Sequence, residues 1–253
     1  MADTPSKTFT WAKSIKVLRP FCTKIITPDG QGSGFLLAHL SLADVPHVAV
    51  GTAAHVVAHA DYWNESIRIQ HADSGKVILL ERGKRLILID HERDTAAIIF
   101  KPEGLPFPNT DLRIIPEDKF VAVGVEIGWL GFPAVASEHL CFFSGRTSCW
   151  IDKESAYLVD GVAINGVSGG PAFQHFVSSE PSLMGVVSAY RPNLATGRVL
   201  PGLCEIRDIA PLQESVKQLK SLEEVAKAKQ EADSQQKDSP PVNPESKPSE
   251  TKE

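Results

Sequence analysis

Gly166-Val167-Ser168-Gly169-Gly170-Pro171 places one serine between glycines on a tight turn. Glycine allows positive φ and leaves backbone N–H groups uncovered, so two of these groups can point at one oxygen beside the serine hydroxyl. Such an arrangement is typical of an oxyanion hole next to a nucleophile. A plain glycine-rich turn between strands explains the six residues equally well, so the rest of the chain has to decide between the two.

The hexapeptide also fits G-x-S-x-G, the nucleophile turn of α/β-hydrolases. That fold requires an acid and then a histidine after the serine. His175 is the only histidine after Ser168, and no carboxylate lies between them. The order of residues therefore disfavours an α/β-hydrolase.

A histidine and an aspartate occur earlier in the chain, each beside small and apolar residues. His55 ends the segment Gly51-Thr52-Ala53-Ala54-His55 after an apolar strand, and Asp94 opens Asp94-Thr95-Ala96-Ala97-Ile98. An aspartate at the mouth of a buried strand can hold an imidazole, fix its tautomer and stabilise the imidazolium. Asp90 competes for this role, and Asp94 also fits a solvated turn. We prefer Asp94 because the aliphatic strand follows it directly.

His55 and His59 have the spacing of two metal ligands on one helix face. Residues 56–58 are apolar, so no glutamate lies between the histidines to act as a base. No good third ligand lies nearby in the sequence. We therefore expect neither a metal nor a cofactor.

Short β-strands are predicted between residues 20 and 210, because Val, Ile, Phe and Thr form runs that Gly, Pro, Asp and Ser separate. The predicted strands are 22–27, 34–40, 47–52, 67–71, 77–81, 86–89, 95–100, 112–115, 121–129, 140–143, 147–151, 157–160, 172–176 and 183–190. Many short strands with almost no long helix predict an all-β chain of two sandwiches or barrels. The proline-rich segment 101–111 is the expected division between them.

The C-terminal part has a different composition. Pro211 suits a first helical position, and apolar residues then recur at helical spacing. These residues are Leu212, Val216, Leu219, Leu222 and Ala226. We predict a helix over 211–230 that docks on the domain, with a partner-binding helix as the alternative. Residues 231–253 contain four prolines and two apolar side chains, which predicts a disordered polar tail. A protein partner of the helix or the tail is possible.

Composition disfavours other classes of protein. The chain carries 26 Lys+Arg against 31 Asp+Glu, a net charge of −5 that offers no footprint for nucleic acid. It has no run of 18 apolar residues and no readable secretory signal, so we expect no membrane association and a cytoplasmic location. Cys141 and Cys149 flank a predicted hairpin at residues 144–147. We expect free thiols there, with a disulfide as the alternative.

The order His55, Asp94, Ser168 is the triad order that accompanies β-barrel folds. The predicted β-strands do not depend on these three residues, so the two observations support each other. The chain resembles a trypsin-like (chymotrypsin-fold) serine protease, closest to bacterial HtrA/Deg-type protease domains and without a PDZ domain. The matching segments are Gly32-Ser33-Gly34-Phe35, Thr52-Ala53-Ala54-His55, Asp94-Thr95-Ala96-Ala97-Ile98, Gly131-Phe132-Pro133, Ala163-Ile164-Asn165-Gly166-Val167-Ser168-Gly169-Gly170-Pro171 and Gly185-Val186-Val187-Ser188.

The resemblance implies two six-stranded β-barrels over residues 20–210, after an N-terminal extension 1–19, with the active site between them. By motif position it implies Ser168 as nucleophile, His55 as general base and acid, and Asp94 as the orienting carboxylate. The backbone N–H groups of Gly166 and Ser168 are then the oxyanion hole.

The resemblance also implies substrate-binding residues. Ser188 is expected on the strand that pairs with the substrate backbone, and Val162 and Ala163 at the primary pocket. Tyr190 is expected to narrow the entrance of that pocket. An aspartate is absent at position 162, which favours an apolar, non-basic P1 residue. Val167 stands where the family usually has Asp or Asn, so activation by a freed N-terminus is not expected.

These expectations describe a serine endopeptidase that hydrolyses polypeptides through an acyl-enzyme. Two alternatives stay open. One is a catalytically silent pseudoprotease that binds or scaffolds other proteins, and the other is an esterase with the same triad.

Overall fold

A computed structural model gives the structure of residues 10–116, 119–176, 179–193, 200–221 and 224. The first half contains helix α1 (Trp11–Leu18), strands β1 (Cys22–Thr27), β2 (Gly30–Leu42) and β3 (Val45–Thr52), and helix α2 (Ala54–Tyr62). It continues with β4 (Ile67–His71), β5 (Val77–Leu80), β6 (Arg85–Asp90) and β7 (Thr95–Phe100). The second half contains β8 (Glu126–Gly131), β9 (Cys141–Ile151), β10 (Ala156–Asp160), β11 (Pro171–Phe176), β12 (Ser179–Asn193) and β13 (Leu200–Asp208). Helix α3 follows over 210–221.

The first half is a curled antiparallel sheet of seven strands in the order β5-β4-β1-β2-β3-β7-β6. Its inner face is apolar, with Ile25, Phe35, Val50 and Ile98 fully buried. This half was predicted as a six-stranded barrel, and the structure gives it as a curled half-barrel of seven strands. Strand β4 pairs with β1 on one side and with β5 on the other, so β5 and β6 remain as edges and the sheet does not close among the described strands.

The second half is a closed barrel in the order β10-β13-β12-β11-β8-β9, which confirms a six-stranded barrel there. Its core contains the fully buried Trp129 and Tyr157. Strand β13 closes the barrel, although it is absent from the predicted strands. The charges of Glu205 and Arg207 interrupt the apolar pattern by which a buried strand is predicted from sequence. In the folded chain these two side chains are shielded from solvent and form an ion pair of 2.7 Å with each other.

Helix α1 lies in the N-terminal extension 1–19, for which no helix was predicted. Thr10 caps its N-terminus by accepting a hydrogen bond from the backbone N–H of Lys13. Trp11 packs against Phe142 of the second half, with ring centroids 5.2 Å apart. Leu18, at the other end of α1, is buried in a core that residues of the first half form for the most part. This short helix therefore contacts both halves.

Helix α3 packs on the core of the first half through Leu212 and Val216, which are buried, and Leu219, which is partly buried. The described part of the predicted C-terminal helix is thus helical and docked. Residues 222–223 and 225–230 of the predicted helix and the predicted tail 231–253 lie outside the described residues.

The predicted hairpin between Cys141 and Cys149 is wrong, because both residues belong to the one strand β9. Eight residues along a strand separate them by roughly 26 Å, which excludes a disulfide between them. Cys22 and Cys204 are buried, and burial raises the pKa of each thiol to about 12. The predicted strand 112–115 is reduced to one bridge between Ile114 and Leu183.

The described residues contain no helix long and apolar enough to cross a membrane. They also contain no cluster of three His, Cys, Asp or Glu side chains arranged to hold a metal ion.

Candidate active site

His55 and Asp94 meet at one end of the first half. His55 lies in the first turn of α2, and Asp94 precedes β7 with a left-handed backbone (φ 50°). The His55 ring donates from Nδ1 to the Asp94 carboxylate at 2.8 Å, and the His55 backbone N–H donates to the same carboxylate at 3.0 Å. An ionised carboxylate only accepts hydrogen bonds, so the proton of the neutral ring lies on Nδ1 and Nε2 is left as an acceptor.

Ser188 of the second half is a third donor to Asp94, with 2.5 Å between its Oγ and Oδ2. Ser188 is an extra residue in β12, because pairing with β13 shifts between Val187 and Ala189. Such a bulge re-aims a side chain. Burial alone raises the pKa of Asp94, but the hydrogen bonds from His55 and Ser188 outweigh it and hold that pKa below its usual range. Asp94 is therefore ionised at neutral pH.

The serine turn precedes β11 and requires glycine at two positions. Gly166 has φ +91° and Gly169 has φ +86°, values that suit glycine alone. A Cβ at Gly166 would clash with the backbone of Phe132 and Ala134, and one at Gly169 with atoms of the first half. Within the described part of the chain, the N–H groups of Gly166 and Ser168 donate to no protein acceptor.

Val167 fits this turn as an apolar residue. Its side chain is fully buried in the core of the second half, and a Cβ on Gly131 would meet it at 2.8 Å. The Val167 N–H donates to the carbonyl of Ile164 at 3.1 Å. The resemblance implies Asp or Asn at this position, and the structure has instead a valine that packs in the core. The turn therefore keeps its shape without a polar side chain at position 167.

A cleft of about 280 Å³ brings four of the predicted site residues together, namely His55, Ala163, Ser168 and Ser188. Its lining consists of His55, Ala163, Ile164, Asn165, Ser168, Ser188 and Ala189. The side chains of His55 and Ser168 share this cleft, with no hydrogen bond between them in the structure. In unliganded enzymes this contact is often long and tightens only when substrate binds.

Two predicted substrate-binding residues are not part of the described lining. Val162 lies outside it, and its side chain is 50% exposed. The backbone of Tyr190 pairs with that of Cys204. The structure does not describe the side chain of Tyr190. Their role in binding substrate stays a prediction.

Ser33 in β2 is a site residue that the sequence prediction did not assign. It is 1% exposed, and its Oγ bonds to the Gly166 carbonyl at 2.8 Å. The available signal was its position between two glycines in Gly32-Ser33-Gly34, which leaves room for another backbone to approach. The partner of Ser33 was not readable, because it lies 133 residues further along the chain.

Solved structures share this architecture at low sequence identity. An inactive form of Rv3671c from M. tuberculosis H37Rv matches with a TM-score of 0.56 and 16% identity, over 86% of this chain and 94% of that one. The serine endoprotease from Yersinia pestis matches with a TM-score of 0.61 and 16% identity, over 84% of this chain and 67% of that one. The chain has a trypsin-like fold. This confirms the fold that the sequence predicted.

No family model and no curated protein matches the sequence. At this level of identity the likeness establishes the trypsin-like fold alone. Assignment of an activity therefore depends on the chemistry of the cleft.

Proposed function

We propose that the protein is a serine endopeptidase that hydrolyses peptide bonds through an acyl-enzyme. The observation that supports it most is the His55–Asp94 pair in a cleft shared with Ser168. Beside it are the backbone N–H groups of Gly166 and Ser168, which donate to no acceptor among the described residues. Asp94 fixes the tautomer in which Nε2 accepts a proton, as nucleophilic catalysis by serine requires.

In this mechanism the Ser168 Oγ attacks the substrate carbonyl carbon while its proton passes to His55 Nε2. The N–H groups of Gly166 and Ser168 hold the oxyanion of the tetrahedral intermediate. The intermediate collapses, and His55 returns the proton to the leaving amine. Water then attacks the acyl-enzyme with His55 again as the base, which releases the acid product and restores Ser168.

The cleft favours an apolar, non-basic P1 residue. Ala163, Ile164 and Ala189 provide apolar walls. The described residues of the lining include no carboxylate that would pair with Lys or Arg. We infer from these walls a small or medium apolar P1 side chain such as Ala, Val or Leu.

A fluorophosphonate probe tests the activity, because it labels a serine only when a base and an oxyanion hole activate that serine. We expect labelling of the wild type and none of Ser168→Ala or His55→Ala. Ser144→Ala, which removes an exposed hydroxyl in β9, is the matched control and should label like the wild type.

A peptide library then defines the substrate. Cleavage after apolar residues and not after Lys or Arg is expected. Hydrolysis of activated esters without peptide cleavage would assign the cleft to an esterase. Absence of labelling in the purified protein and in lysate would leave a pseudoprotease.

A further inference from the structure

One buried hydroxyl of the first half is inserted into the serine turn of the second half. Ser33 lies in β2, and its Oγ donates to the carbonyl of Gly166 at 2.8 Å. The same Oγ accepts a hydrogen bond from the N–H of Phe132 at 2.9 Å. Both partners belong to the second half, so the side chain of Ser33 has no role within its own sheet.

The backbone of Ser33 binds the same turn. Its N–H donates to the carbonyl of Ser168 at 2.7 Å, and its own carbonyl accepts from the Thr52 hydroxyl at 2.8 Å. Ser33 therefore holds the carbonyls of Gly166 and Ser168. These are the two residues whose N–H groups form the proposed oxyanion hole.

The peptide planes of the turn show what this contact controls. The Asn165 carbonyl accepts from the N–H of Ala134 at 2.7 Å, and the Val167 carbonyl accepts from Gly170 at 3.0 Å. In a trans peptide the C=O and the following N–H point in opposite directions. Because these bonds fix the directions of the Asn165 and Val167 carbonyls, the N–H groups of Gly166 and Ser168 point the opposite way, away from Ala134 and Gly170 respectively.

The peptide between them, from Gly166 to Val167, contains the carbonyl that Ser33 binds. Gly166 has no Cβ and lies at φ +91°, so sterics alone do not prevent this peptide from rotating. Rotation there would move the Gly166 N–H relative to that of Ser168. The N–H of this peptide, on Val167, donates to the Ile164 carbonyl at 3.1 Å within the turn. The Ser33 hydroxyl is the side-chain contact that holds the carbonyl side of the same peptide and opposes its rotation.

We propose that Ser33 is a positioning residue that holds the Gly166–Val167 peptide in the orientation which completes the oxyanion hole. This role rests on the proposed function. Because an oxyanion hole acts where charge develops, loss of Ser33 should weaken binding of the transition state and leave binding of the substrate nearly unchanged.

The test compares Ser33→Ala with the wild type on a peptide substrate with an apolar P1 residue. Removing one oxyanion donor typically costs 10²–10³-fold, so we expect kcat to fall by about 10²-fold while KM changes by less than about threefold. The affinity for a peptidyl aldehyde, whose adduct places an oxygen in the hole, should fall by about the same factor as kcat. Ser33→Thr keeps the hydroxyl and should restore most of the activity.

Ser14→Ala is the matched control, since Ser14 is equally buried and its Oγ contacts His175 in the second half, away from the cleft lining. It should retain kcat even where it lowers the melting temperature. If alanine at position 33 prevents folding, Ser33→Cys takes its place, because it keeps the volume with a weaker donor.

The proposed role is overturned if kcat of the folded Ser33 variant stays within about threefold of the wild type, or if kcat and the melting temperature fall together to the same extent in Ser14→Ala. It is also overturned if KM alone changes. Failure of the wild type itself to react with the fluorophosphonate probe would instead reject the proposed function, and with it this role.

Discussion

Asp94→Asn should reduce kcat by about 10⁴-fold, because it reverses the tautomer of His55. The carboxylate accepts three hydrogen bonds, from the His55 backbone, the His55 ring and Ser188. An asparagine has one acceptor oxygen and one donor nitrogen. If its oxygen keeps the backbone N–H, its amide nitrogen faces Nδ1 of the ring. The ring then carries its proton on Nε2 and cannot accept one from Ser168.

A loss of 10⁴-fold corresponds to about 5 kcal/mol of transition-state stabilisation, since each factor of ten is 1.36 kcal/mol. Asp94 is not part of the cleft lining, so KM should change little. The assay is steady-state hydrolysis of a chromogenic peptide with an apolar P1 residue, together with the rate of fluorophosphonate labelling. Both rates should fall by the same factor.

Asp90→Asn is the matched control for this variant. Asp90 competes with Asp94 in the sequence, but the structure binds its carboxylate to Arg93 at 2.9 Å, away from His55. It should keep kcat within about threefold of the wild type. If Asp90→Asn loses the activity, or if Asp94→Asn keeps more than about a tenth of it, the assignment of the orienting carboxylate is wrong.

Four further substitutions test the packing and the buried charges of the fold. Gly169→Ala should lower the free energy of unfolding by at least about 2 kcal/mol in denaturant titration, because it combines a left-handed backbone with a clash against Ser33 and Thr52. Burial raises the pKa of Asp208 above its usual range, although backbone hydrogen bonds oppose this shift. The folded state therefore binds the proton of Asp208 more tightly than the unfolded state does. That contribution is present at low pH and is lost as pH rises through the raised pKa, so Asp208→Asn should raise the melting temperature at pH 7 and have little effect near pH 3. Lys24 is 5% exposed and bonded to the exposed Glu138 at 3.0 Å, so Glu138→Ala, which leaves a buried ammonium unpaired, should lower the melting temperature more than Lys24→Met.

The sequence predicted those parts of the fold whose signal is local. The strand bounds 22–27, 67–71 and 95–100 agree with β1, β4 and β7, since each segment contains β-branched residues and is flanked by residues that favour turns. The glycine turn around Ser168 was also readable, because positive φ restricts the choice of residue.

Parts of the fold that depend on distant contacts were not readable. Gly145 suggested a hairpin, but it lies within the continuous strand β9. The absence of a Cβ at Gly145 allows the backbone of Asp160 to lie close against this strand. Helices α1 and α2 have eight and nine residues, too few for a clear periodic signal. The roles of Ser33 and Ser188 depend on partners 133 and 94 residues away along the chain, and no local pattern records such contacts.

These two serines connect the halves of the site in opposite directions. Ser33 of the first half binds the turn that carries Ser168, and Ser188 of the second half binds Asp94 of the first. Neither the nucleophile turn nor the His55–Asp94 pair is therefore positioned by its own half alone. Since each contact is lost when the halves separate, small movements between them should disturb the oxyanion hole and the orienting carboxylate together. Helix α1 contacts Phe142 of the second half through Trp11 and is buried at Leu18 beside the first half, so it opposes such movement from outside the cleft.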